Sequence, residues 1–223
     1  MNIIITGASG KIGSQLAIHY GKTNNLILQY NNNENIINNI IDSLSCYNTK
    51  IYKLKFDFQH NENFIEKTQE FFQSNILING FSTFEENHFF NFKKENFMRD
   101  IKLNVLCPLI LTKDFSMLKE SKLVINFLDS KALMRDENHF TYSTSKYLFQ
   151  QLTKESAWYL APLRINGISL GLYETDNASP KNLPIKEKVN FNDIINTINY
   201  FITNNHITGE IINLDSGRHL RKG

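Results

Sequence analysis

The chain opens Met1-Asn-Ile-Ile-Ile-Thr6-Gly7-Ala-Ser9-Gly-Lys11-Ile12-Gly13. Residues 2–6 make an apolar run with the length and composition of a buried strand. Gly7, Gly10 and Gly13 then fall in the turn that enters the next helix. Glycines suit such a turn because the backbone must bend tightly and come close to a phosphate group at a helix N-terminus. A glycine-rich turn alone is weak evidence, but here it begins a regular alternation. Further apolar runs of the buried parallel type lie at 26–30, 50–56, 75–79, 122–128, 163–169 and 209–214. Segments of helical period separate them, at about 11–21, 34–45, 61–73, 95–118, 142–160 and 191–204. The expectation is an α/β fold: a doubly wound, seven-stranded parallel sheet with helices on both faces.

The sequence contains no linker, repeat or second composition regime, so 1–223 is read as one domain. Its 223 residues, 41% hydrophobic, suffice for one sizeable core. The longest irregular stretch, 172–189, contains Pro180 and Pro184 and follows a strand end, where such sheets place ligands. It is expected to be a flexible substrate lid. The formal net charge of +2 is nearly balanced, and no basic stripe with interleaved aromatics occurs, which argues against nucleic acid as a partner. Cys46 and Cys107 are the only cysteines and lack metal-ligand spacing, so they read as reduced thiols, with no metal site. The first strand starts at once and no apolar run nears twenty residues. The chain is therefore expected to be cytoplasmic, with no membrane partner. The asparagine-rich stretches read as solvated surface.

Chemistry is carried by Tyr142-Ser-Thr-Ser-Lys146. Tyrosine and lysine four apart on a helix share one face. A nearby ammonium favours the phenolate and is expected to lower the tyrosine pKa. Asp129 lies thirteen residues before Tyr142. Its carboxyl opposes the lysine by like-charge repulsion with the phenolate, so the three groups are expected to titrate as a coupled set.

Together, the glycine-rich turn after an N-terminal strand and the Tyr142/Lys146 pair resemble the short-chain dehydrogenase/reductase family. The resemblance spans nearly the whole chain, through Ile207-Thr-Gly-Glu-Ile-Ile-Asn-Leu-Asp-Ser-Gly-Arg-His-Leu220. Most of that family has serine at the place of Asp129. An aspartate there is similar to the pteridine reductase and dihydromonapterin reductase group. The resemblance implies a Rossmann-like fold and NADP(H)-dependent reduction of a dihydropterin such as dihydromonapterin or dihydrofolate. Tyr142 would give the proton, Asp129 would orient it and pass protons on, and Lys146 would also hold the nicotinamide ribose. Asn104, in Lys-Leu-Asn-Val-Leu-Cys-Pro108, matches the family asparagine that holds a water linking the lysine to solvent.

The same resemblance assigns Gly7, Ser9, Lys11, Ile12 and Gly13 to the cofactor turn. Lys11 replaces the usual third glycine, as a basic residue does in pteridine reductases, and is expected to meet a 2′-phosphate. Asn31 and Asn32, after Gln29-Tyr30, stand where an acid would bind a free ribose 2′-OH, and its absence favours NADP(H) over NAD(H). Asp57 and Phe58 match the adenine-edge pair. Asn79 is expected to tie neighbouring strands together, although Gly80 and Phe81 depart from the family's next two residues. Gly171 follows Leu170 instead of the usual proline, in the loop that cradles the nicotinamide amide. Ser82 and Phe84 match pterin-binding positions, the phenylalanine covering one ring face. The helices at about 95–118 and 142–160 form the family's main interface. With Leu148, Phe149, Leu152 and Trp158 on the second, a homotetramer or homodimer is expected. Two other readings remain open: a general carbonyl reductase, for instance of 3-oxoacyl substrates, and a non-catalytic NADP-binding regulator.

Overall fold

The computed structural model describes residues 1–61, 63–71, 73–134 and 136–220. Seven strands form one parallel sheet: β1 (Asn2–Thr6), β2 (Asn25–Tyr30), β3 (Ile51–Lys55), β4 (Ile76–Asn79), β5 (Leu123–Asp129), β6 (Arg164–Leu170) and β7 (Ile211–Leu214). Their order is β3-β2-β1-β4-β5-β6-β7, and every pairing is parallel. The chain reverses direction across the sheet between β1 and β4, which opens a crevice beyond the carboxyl ends of those strands.

Alternation along β1 sorts its side chains to two cores. Ile3 and Ile5 join Leu26, Leu28, Ile76 and Ile78 under helices α1 (Lys11–Gly21), α2 (Glu34–Leu44) and α7 (Phe191–Thr203). Ile4 points the other way, with Ile27, Leu77 and Val124. There it packs against α3 (Phe64–Thr68), α5 (Cys107–Ser116) and the end of α6 (Phe140–Tyr159). Helices on both faces follow directly, because a central strand buried on both sides has no solvent face. Each fully buried Ile or Leu contributes about 1.5–3 kcal/mol, so β1 alone is a substantial anchor.

Two expected helices differ. The stretch 61–73 keeps only α3 as helix; Glu62 and Phe72, within that expectation, lie outside the described residues. The stretch 95–118 is not one α-helix. It runs as α4 (Lys94–Ile101), a π turn at Lys102–Leu106, and α5. Pro108 explains the break: it has no N–H to offer the carbonyl of Asn104, and the ladder widens so that Cys107 N–H reaches Lys102 O. On α6, Phe149 is core rather than outer surface, and Leu152 is only half-exposed, whereas Trp158 is 82% exposed. No helix among the described residues is long and apolar enough to cross a membrane.

Candidate active site

The glycine-rich turn is closed by contacts that leave no room for side chains. Gly7 has φ +66°, and a Cβ there would sit 2.9 Å from the Phe81 backbone. A Cβ on Gly13 would lie 2.3 Å from Gly7 O, so α1 can approach β1 only with glycine at that position. Gly10 caps α1 without a side-chain hydrogen bond. Gln29, which the sequence reading passed over, braces the turn. Its Oε1 accepts from Gly7 N–H at 2.7 Å, and its Nε2 donates to Phe56 O at 2.7 Å. A polar residue inside an otherwise apolar strand was the available signal.

Two cavities meet at Gly80 and Ser82 in the crevice. The larger, about 490 Å³, is lined by Gly7, Ser9, Asn31, Asn32, Asp57, Phe58 and Phe81, with Arg99 from α4. Asp57 turns one carboxylate oxygen to Gln59 N–H. Phe58 is buried and stacks on Phe81 with ring centroids 4.3 Å apart, which accounts for the bulk at position 81. The smaller, about 230 Å³, is lined by Lys11, Ile12, Gly13, Asp129, Tyr142, Lys146 and Gly171, closed on one side by Tyr173 and Asp176.

Lys11 lines the smaller cavity, whereas Asn31 and Asn32 line the larger. It starts α1 and its ammonium stands 3.9 Å from Asp176. Asn79 lines neither cavity. Its side chain is buried behind the sheet ends, donating to Asn126 at 2.8 Å, and so ties β4 to β5 as expected. Asn104 also lies behind the cavities. It accepts from Thr83 N–H at 2.8 Å and from Ser82 Oγ at 3.1 Å, and donates to Ser145 Oγ at 3.0 Å.

At the centre, Tyr142 OH donates to Asp129 Oδ2 at 2.8 Å, while Asp129 Oδ1 accepts from Lys131 N–H at 2.7 Å. Burial, then the charge and hydrogen bond of Asp129, push the phenol well above its ordinary range, with Ser82 opposing. This corrects the expectation that the lysine would lower it. Lys146 Nζ donates to Phe127 O at 3.1 Å and stands 5.9 Å from the Tyr142 ring centroid, farther than the carboxylate. Burial lowers the lysine itself to about 8, with Asp129 pulling the other way. Proximity and desolvation thus decide for the aspartate.

Phe84 stands at the mouth, 56% exposed, its ring edge-on to Tyr142 with centroids 4.8 Å apart. It stacks on His139 at 4.4 Å, and Lys131 Nζ lies 4.7 Å from its centroid. Asp136 binds both of those groups at 3.0 Å. Burial alone would raise the Asp136 carboxyl, but its hydrogen bonds from His139 and Lys131 hold it below the usual range. Sequence reading missed this cluster; the spacing of Lys131, Asp136 and His139 carries no motif.

A model of the short chain dehydrogenase family matches residues 1–186. A dihydromonapterin reductase of Escherichia coli strain SMS-3-5 is 24% identical, covering 98% of this chain and 97% of its own. Among solved structures, the FolM alternative dihydrofolate reductase 1 of Brucella canis, complexed with NADP, superimposes with a TM-score of 0.91. It is 22% identical, over 99% of this chain and 95% of that one. An acetoin dehydrogenase from Salmonella typhimurium superimposes with a TM-score of 0.86 at 16% identity, over 99% and 98% of the two chains. Likeness at that distance establishes the fold, which serves several substrates, and leaves the chemistry to the site.

Proposed function

The chain belongs to the short chain dehydrogenase family, and from that premise we propose that it is an NADPH-dependent reductase of dihydropterins. The observation that carries the reading is the 2.8 Å hydrogen bond from Tyr142 OH to Asp129 Oδ2. A serine at that position could only hydrogen-bond a carbonyl oxygen, whereas a carboxyl can pass a proton on. The relatives named dihydromonapterin reductase support the same substrate class.

The residues fit the cofactor. The side-chain-free turn at Gly7 and Gly13 gives a cradle for a pyrophosphate, and the two joined cavities give room on either side of it. Asn31 and Asn32 offer no acid against a 2′-phosphate, which supports NADPH. Lys11, at the start of α1, would meet the dinucleotide's phosphates. The bound cofactor supplies the hydride. Tyr142, kept protonated by burial and Asp129, donates a proton to the ring nitrogen beside the reduced carbon. The phenolate left behind recovers its proton through Asp129. Lys146, still largely charged near neutrality, offsets the developing negative charge and binds ribose. Ser82 and Phe84 border the substrate, the ring offering a stacking face.

The segment 172–189 is proposed as the lid of one domain spanning the chain. It is moored by Tyr173 OH to Gln15 at 3.0 Å and by Lys11 to Asp176. The exposed Met98, Leu106, Ile110, Leu148 and Trp158 support assembly of two or four copies through α4, α5 and α6. The test is a panel of dihydropterins and 3-oxoacyl substrates, each with NADPH and NADH. Reduction of dihydropterins with NADPH is expected. A protein that reduces 3-oxoacyl substrates well and dihydropterins not at all is a carbonyl reductase instead.

A further inference from the structure

Asp100, on α4, has its side chain fully buried, 0% exposed. A carboxylate withdrawn from water must be matched by donors. Two hydroxyls supply them: Thr83 Oγ1 donates to Oδ1 at 2.8 Å, and Thr141 Oγ1 donates to Oδ2 at 2.6 Å. The Arg99 guanidinium is 3.8 Å from Oδ1. Both threonines sit beside the reacting groups. Thr83 lies between Ser82 and Phe84, and Thr141 immediately precedes Tyr142. Asn104, one turn farther along the same helix face, grips Thr83 again through its N–H at 2.8 Å.

The chemistry of position 100 is tightly specified. Thr141 Oγ1 already accepts from Asn87 Nδ2 at 2.7 Å, so its single proton is free to go to Asp100. Thr83 Oγ1 also has Asn104 Oδ1 at 3.2 Å as a longer alternative acceptor. An amide at position 100 keeps one acceptor oxygen where the carboxylate has two, so it loses the simultaneous hold on both hydroxyls.

We propose that Asp100 is a positioning residue of the reaction, setting the separation between the Ser82–Phe84 segment and the Tyr142 phenol by holding Thr83 and Thr141 on the two oxygens of one carboxylate. It acts through its neighbours and touches neither cavity. The inference rests on Tyr142 being the proton donor, not on the identity of the substrate.

The test compares Asp100→Asn, Thr141→Val, Thr83→Val and the Asp100→Asn/Thr141→Val double variant. Each is assayed with NADPH and whichever substrate class the unmodified protein reduces. NADPH binding is measured by fluorescence, and hydrogen exchange is followed over residues 82–87. A drop in kcat of about 10–100-fold is expected, because misplacement by about 1 Å costs that order. NADPH affinity should stay within about twofold, the signature of a lost catalytic arrangement rather than lost ground-state binding. The double variant should be no worse than its worse parent, because both act on one link. Exchange over 82–87 should rise. Thr83→Val removes a half-exposed hydroxyl and carries the test if Asp100→Asn does not fold. An unchanged kcat in a folded variant, losses that multiply in the double, or a parallel fall in NADPH binding would each overturn the proposal. If the unmodified protein reduces ketones and not dihydropterins, the substrate reading fails while this test proceeds on the ketone. A protein that reduces neither overturns both.

Discussion

Tyr142 keeps its proton because burial, and then the neighbouring Asp129 carboxylate, disfavour the phenolate. Tyr142→Phe is expected to abolish reduction and leave NADPH binding nearly intact, measured by turnover and by fluorescence titration. Asp129→Ser separates substrate classes: loss of general acid–base help should cost dihydropterin reduction a factor of about 10²–10⁴. Ketone reduction by the same variant should hold or rise, and a uniform loss on both would count against the reading. Lys146 adds a pH signature to stability. Its pKa is about 8 when folded against 10.5 when free. Between those values the unfolded chain binds more protons than the folded one, so its contribution to stability rises with pH across that window. Below about 8 both states are protonated, and the cost of the buried charge is carried in full. Thermal melts of the cofactor-free protein against Lys146→Met should show a difference that shrinks or reverses between those two pH values.

At the scale of elements, the turn after β1 and the turn after β4 are built against each other. At Gly80, which departs from the family pattern, a Cβ would stand 2.8 Å from Thr6 O. Phe81, the other departure, gains a stacked partner in Phe58. The two changes are thus local repacking of one junction, not damage to the crevice. Gly80→Asn is expected to destabilise by about 1–3 kcal/mol, the usual scale of overpacking. Chemical denaturation would measure it, and a neutral or stabilising result would show that the β1 end can yield. The π turn at Lys102–Leu106 has a similar logic. It re-aims Asn104 into the Ser82–Thr83 and Ser145 groups, joining the loop after β4 to α6.

For the whole molecule, the reversal of strand order between β1 and β4 places residues from eight separate segments around one crevice. The exposed apolar side chains of α4, α5 and α6 lie away from it, on the outer surface of those helices. Light scattering at micromolar concentration is expected to give the mass of two or four copies. Leu106→Glu with Ile110→Glu should lower that mass, because buried like charges cannot be paired across a symmetric contact. A monomeric unmodified protein would count against the assembly.

The sequence by itself determined the sheet, its doubly wound sense and the Asp129–Tyr142–Lys146 constellation. Those rest on local periodicity and on spacing along one strand end and one helix face, which backbone geometry transmits directly. It did not determine the direction of the Tyr142 shift, because that depends on which charge ends nearer and how deeply both are buried. It could not place Lys11 against Asp176, or show that Asn104 serves as a brace behind the crevice. Nor could it find Gln29, Asp100 and the Lys131–Asp136–His139 cluster. These are contacts between segments far apart in the chain, each a choice among partners that only the packed structure makes. Asp100 reads in sequence as one more polar residue on a helix. Only the fold, by burying it between a threonine of the loop after β4 and a threonine of α6, makes its charge a constraint.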